Sequence, residues 1–246
     1  MIKKILLSQT APVMGKSPYM NIEKKYGVEI VYRPFISTEI LEESVLRKQI
    51  ISLKDYSALM FVSKVAVDAF FSYISHTHYG DAAEKLYYFC PSDSVEKYLS
   101  KYVNYRKRKV FTAKFKLNEL EANVSECKQL KYLLMTSEAQ QKELCSMMDR
   151  CGVYYRSCVC YKTVDNPLQQ GESLDYDALF FFNSASIKSF LKIVPDFQQG
   201  EKVIGGFGEK TIQTLKELGL RVDIDVPKNG VTSVPEALDI YLKEHK

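Results

Sequence analysis

Short apolar runs alternate along the chain with stretches in which apolar residues return at helical spacing, and one such passage occurs twice. Asp55-Tyr56-Ser57-Ala58-Leu59-Met60-Phe61-Val62-Ser63 returns 120 positions later as Asp175-Tyr176-Asp177-Ala178-Leu179-Phe180-Phe181-Phe182-Asn183. Each copy breaks at small polar residues and passes into an apolar stripe, Val67/Phe70/Phe71/Ile74 in the first and Ile187/Phe190/Leu191/Val194 in the second. The pattern predicts a buried strand, a polar turn and a helix, twice. A duplicated unit of this size predicts two similar α/β domains with a ligand cleft between them.

Other corners carry the same alternation. Helical patterns end at Gly27, Gly152 and Gly219, each followed by a short apolar strand, as expected where a helix closes in the left-handed conformation. In the other direction, Leu86–Cys90, Tyr132–Met135 and Lys202–Phe207 read as strands running into helices, and Ser137 with Gln140 has capping-box spacing. Short connections between alternating strands and helices predict parallel sheets covered on both faces, so each domain should have three layers. Extended polar segments at Pro34–Glu39 and Val159–Pro167 suggest two crossings between domains. The expected division is a discontinuous domain of residues 1–36 and 165–246, an inserted domain of residues 42–160, and a two-stranded connector at 37–41 and 161–164.

Composition narrows the class. The chain has 246 residues, 46% of them apolar, enough for two ordinary cores. A formal charge of +4 with acidic and basic residues interspersed does not force a nucleic-acid partner. No apolar run reaches membrane-spanning length. The six cysteines belong to a chain too core-rich to need staples, which predicts reduced thiols and a cytoplasmic, soluble protein.

Ligands of parallel α/β sheets bind beyond the carboxyl ends of the strands, where helix N-termini present free N–H groups. Those corners carry Ser8-Gln9-Thr10, Ser63-Lys64, Ser92-Asp93, Thr136-Ser137, Asn183-Ser184-Ala185-Ser186 and Gly208-Glu209-Lys210-Thr211. Hydroxyls, amides and glycines suit recognition of carboxylates better than strong acid–base chemistry; taken singly, each is also an ordinary helix cap. Gly208-Glu209-Lys210-Thr211 lacks the glycine a phosphate loop needs before its lysine. His76-Thr77-His78 has no third ligand at a recognised spacing. Cys158 and Cys160 read as buried structural thiols. The basic run Tyr105–Lys109 is read as a solvated turn into Val110-Phe111, with an RNA-binding patch as the sharper alternative.

The order Phe61-Val62-Ser63-Lys64, Leu134-Met135-Thr136-Ser137-Glu138, Tyr161-Lys162-Thr163, Phe182-Asn183-Ser184-Ala185-Ser186 and Phe207-Gly208-Glu209-Lys210-Thr211 resembles the uroporphyrinogen-III synthase family over almost the whole chain. The resemblance implies two α/β domains on a two-stranded connector and closure of hydroxymethylbilane to uroporphyrinogen III. The last ring is inverted and water is lost, without metal or organic cofactor. It also implies a monomer whose partner is that small molecule, neither nucleic acid nor membrane. Carried over position by position, Tyr161 becomes the catalytic candidate, while Ser63, Lys64, Ser137, Asn183, Ser184, Gly208, Lys210 and Thr211 become substrate-binding candidates. The turns depart from the family pattern at Val62, Asn183, Ala185 and Glu209. Those departures leave open a non-catalytic homologue of the same fold that binds a tetrapyrrole or another polyacid.

Overall fold

The computed structural model describes residues 2–12, 17–50, 52–77, 80–114 and 119–245. In chain order the elements are β1 (Lys4–Leu7), α1 (Met20–Tyr26), β2 (Glu29–Tyr32), β3 (Ile36–Ile40), α2 (Glu43–Gln49), β4 (Ala58–Phe61), α3 (Lys64–Ser75), α4 (Gly80–Ala83), β5 (Tyr87–Cys90), α5 (Asp93–Leu99) and β6 (Val110–Thr112). They continue with α6 (Leu120–Glu126), β7 (Lys131–Ser137), α7 (Glu138–Cys151), β8 (Tyr154–Asp165), β9 (Ala178–Phe181), α8 (Ser184–Ile193), β10 (Val203–Phe207), α9 (Glu209–Glu217), β11 (Ile224–Val226) and α10 (Val234–Glu244). The chain divides into two compact units, residues 1–37 with 164–246, and residues 38–163.

The first unit holds a five-stranded sheet in the order β11-β10-β9-β1-β2, and its pairings run parallel. From β1 the chain steps outward to β2 and later resumes on the other side through β9, β10 and β11, so strand order reverses between β1 and β9. In the second unit the order is β3-β8-β7-β4-β5-β6, with parallel pairing from β8 through β6. Here the reversal falls between β4 and β7. A reversal splays the two flanking connections to opposite faces and opens a crevice at the carboxyl ends of its strands.

The repeated passages build the two strands beside these reversals. Ala58–Phe61 and Ala178–Phe181 are buried at every position, as strands covered on both faces must be. The following helices bury Val67 and Phe70 in one unit and Ile187 and Phe190 in the other. Ring pairs hold strand to helix in both: Phe61 meets Phe70 edge-on at 5.8 Å between centroids, and Phe181 meets Phe190 at 5.5 Å. Burying an aromatic ring of this kind contributes on the order of 2–3 kcal/mol. α1 and α7 close at Gly27 and Gly152, whose φ of 65° and 64° would strain any residue with a Cβ.

Residues 161–164, expected as one connector strand, lie in β8, which runs from Tyr154 to Asp165 and pairs with β7 as far as Tyr161. Residues Pro34–Glu39 do contain a strand, β3, which lies next to β8 at the sheet edge. Among the described residues no helix is long and apolar enough to cross a membrane.

Candidate active site

Two strand ends, and a residue within a third strand, meet beside the reversal in the second unit. β4 delivers Ser63 as the cap of α3, its Oγ accepting the N–H of Ala66 at 3.2 Å. β7 delivers Ser137, and β8 delivers Tyr161. The last placement depends on an irregularity: Thr136 pairs with Val159, but Ser137 pairs with Tyr161, so Cys160 is an extra residue on β8. A bulge of this kind re-aims side chains, and here it brings Tyr161 rather than Cys160 level with Ser137.

The side chains form one hydrogen-bonded cluster. Ser63 Oγ donates to the Tyr161 hydroxyl at 3.0 Å, Tyr161 donates to Gln140 Oε1 at 3.4 Å, and Ser137 Oγ donates to the same Oε1 at 3.2 Å. Tyr161 is 6% exposed and Ser137 4%, whereas Ser63 is half-buried. The Ser137–Gln140 pair therefore is not a capping box. No side-chain cap bond forms at α7, and the two side chains bond to each other. Gln140 Oε1 is occupied instead by two hydroxyl donors, those of Ser137 and Tyr161.

Lys64, beside this cluster in sequence, is exposed, and its ammonium lies 5.7 Å from the centre of the Tyr98 ring. Lys101 approaches the same ring at 4.5 Å. The cation is thus held against α5 by the ring quadrupole. Nearby thiols are poor nucleophiles: burial pushes Cys90 and Cys158 up to about 12 and raises Cys160 further. They stay protonated at neutral pH, and Cys160 donates to the Thr136 carbonyl at 3.3 Å. Two residues apart on one strand, Cys158 and Cys160 share a face.

The remaining expected residues gather in the first unit, also around its reversal. Asn183 caps α8, with Oδ1 accepting from Ser186 N at 2.8 Å. Ser184 Oγ reaches the Lys210 carbonyl at 3.2 Å and the Thr214 hydroxyl at 2.8 Å, which ties α8 to α9. Gly208 precedes α9 at φ 90°, a conformation open to glycine, and its N–H donates to Val226 O at 2.7 Å. Lys210 is exposed and Thr211 buried. The structure thus brings Ser63, Ser137 and Tyr161 together, joins Ser184 to Lys210 and Thr214, and leaves Asn183 on the backbone alone.

Three residues outside the expected set stand out. Gln140 joins the hydroxyl cluster, and its place was signalled only by its spacing from Ser137. Ser8, at the end of β1, and Ser186 have buried hydroxyls that find no partner among the described residues. Their signal was the hydroxyl-rich corners themselves. Of the weaker candidates, His78 lies outside the described residues, and His76 Nδ1 sits 3.3 Å from Glu43 Oε2. No group of residues among those described could hold a metal ion. In the basic run, Lys107–Lys109 form a single tight turn leading into β6, and the Lys109 ammonium lies 4.9 Å from the centre of the Tyr87 ring.

A family model described as uroporphyrinogen-III synthase HemD matches residues 20–230. No curated protein matches the chain. Among solved structures, uroporphyrinogen-III synthetase from Helicobacter pylori 26695 superposes with a TM-score of 0.68 at 14% identity, covering 99% of this chain and 100% of that one. A mutant uroporphyrinogen III synthase from the extremely thermophilic bacterium Thermus thermophilus gives 0.57 at 12% identity, again covering 99% and 100%. At these identities the superpositions establish the fold, two parallel-sheet α/β units.

Proposed function

The chain belongs to the uroporphyrinogen-III synthase family, and from that premise we propose that it is a lyase closing hydroxymethylbilane to uroporphyrinogen III, with inversion of the last ring and loss of water. The observation that carries this reading is the cluster of Ser63, Tyr161, Gln140 and Ser137 at the strand-order reversal. The substrate is a flexible chain bearing carboxylates and a hydroxymethyl group that ionises readily. Its closure therefore asks the protein for positioning and for one proton donor at the departing oxygen more than for a strong base.

Tyr161 fills the donor's part. Its oxygen is held by Ser63, while its own proton rests in a long contact with Gln140 that a substrate hydroxyl can outcompete. Departure of the hydroxyl as water leaves positive charge on the former hydroxymethyl carbon, and the last pyrrole ring bonds to that carbon. Its older methylene bond breaks and reforms at the ring's other α-carbon, which inverts the ring, and the proton the ring then loses returns to the Tyr161 oxygen. Ser63 and Ser137 supply neutral hydroxyls beside this step. Lys64, Asn183 and Lys210 are proposed to hold acetates and propionates through ammonium and amide groups, with Ser184, Gly208 and Thr211 shaping the turns that carry them. The reaction so drawn uses no metal or organic cofactor. The setting we propose is cytoplasmic, consistent with six cysteines that are all unpaired, and the acting species is a monomer.

A second reading draws on the first unit's turns. Exposed Glu209 opens α9 beside Gly208, where a negative charge works against a polyanion. That arrangement favours a homologue that binds a tetrapyrrole without turning it over. Incubating the protein with hydroxymethylbilane and resolving the oxidised products by isomer separates the two readings. Dominant isomer III is expected, with the Tyr161→Phe variant about a hundredfold slower; isomer I alone from folded protein supports the binding homologue.

A further inference from the structure

Gln140 touches two of the clustered hydroxyls at once. Its Oε1 accepts from Ser137 at 3.2 Å and from Tyr161 at 3.4 Å. A carboxamide oxygen offers two lone pairs, and these two donors fill it. What remains for a ligand is Nε2, a pair of N–H donors that bonds to none of the described residues. The side chain is half-buried, one turn into α7, so it is anchored at one end and reachable at the other.

We propose that Gln140 is the positioning residue of this site: it aims the Tyr161 proton, and its amide end makes the cluster selective for a carboxylate. The inference rests on the reading of this cluster as the place where hydroxymethylbilane is turned over. Distances decide the division of labour. The 3.0 Å bond from Ser63 is the shorter and fixes the phenolic oxygen; the 3.4 Å bond to Gln140 gives the phenolic proton a direction at little cost to redirect. Ser137 keeps the carboxamide from rotating, so its N–H donors keep their heading. A glutamate at 140 would accept the same hydroxyls but would put a negative charge where the substrate brings carboxylates. Neutrality is therefore part of the residue's task.

Two variants and a cycle test this. Gln140→Met keeps the length and removes the bonding at both ends; kcat is expected to fall about tenfold, the worth of one directing hydrogen bond, and KM to rise several-fold with the loss of the amide donors. Gln140→Glu retains an acceptor and is expected to raise KM about tenfold while largely preserving kcat. In a Tyr161→Phe background, Gln140→Met should cost kcat nothing further, because that part of its effect passes through the phenol. Additive losses in kcat, or unchanged kcat in the single Gln140→Met variant while the wild type makes isomer III, overturn the proposal and leave the assigned reaction intact. Should folded wild type make only isomer I, the reaction falls instead. The amide's role is then read from fluorescence titration with uroporphyrin III: binding about tenfold weaker in Gln140→Glu sustains it, and equal affinity overturns it.

Discussion

Phe61 and Phe181, 120 positions apart, both end a fully buried strand, and each packs on the phenylalanine nine residues further on. The caps that follow are also alike. Ser63 and Asn183 take nearly the same extended conformation, φ −164° and −162°, and each accepts the N–H three residues ahead. Past that point the two units part. In the second unit the neighbouring corner ends in Ser137, and the strand beyond it carries Tyr161, so the Ser63 cap is wired into a hydroxyl cluster. In the first, the corner in the same place across the reversal is Ser8 after β1, and the strand beyond it, β2, ends in Tyr32, whose hydroxyl pairs with Ser17 Oγ at 2.7 Å. Among the described residues the Asn183 side chain bonds to the Ser186 N–H and to no phenol, and Ser184 is spent on binding α8 to α9. A shared frame sets where helices start; the partner that the third strand's phenol finds, Ser63 in one unit and Ser17 in the other, decides which start joins a hydroxyl cluster.

Core substitutions should show the frame as shared. Phe61→Ala and Phe181→Ala are each expected to cost about 3–5 kcal/mol, read separately by hydrogen exchange of β4 and β9 amides in the respective unit. A cost confined to one unit would break the equivalence. The caps should agree in stability and differ in function. Ser63→Ala and Asn183→Ala are each expected to lose about 1 kcal/mol from their helices, whereas only Ser63→Ala frees the Tyr161 oxygen and should lower turnover by about tenfold. Isomer-resolved kinetics beside thermal unfolding measures both at once. The smallest effect concerns Ser186, which occupies in the first unit the place that Ala66 holds in the second. Both are fully buried, and the serine hydroxyl has no partner among the described residues. Ser186→Ala is expected to raise the stability of α8 by about 1 kcal/mol by removing an unpaired buried hydroxyl. A loss of stability or of substrate binding would show that this hydroxyl has a function the methyl cannot replace.

Much of the fold is written locally. Apolar runs without alternation marked strands buried on both faces, helical stripes marked the layers over them, and glycines at 27 and 152 marked helix ends, because each signal depends on neighbours a few residues away. The candidate site was only partly readable for the same reason. Ser63 and Ser137 announce themselves as hydroxyls at strand-to-helix corners, and the resemblance pointed to Tyr161. That Tyr161 stands level with Ser137 follows from one extra residue in β8, a pairing made across strands far apart in sequence. Ser137 with Gln140 had the spacing of a capping box, yet the phenol of Tyr161 shares the acceptor and turns the pair into part of a cluster. Spacing along one helix cannot report a group that arrives from another strand. The sequence by itself determined the alternation of elements, the repeat and the buried strands; register, the bulge and the partners of each hydroxyl were decided by the tertiary structure, because they depend on distances between segments that only packing brings together.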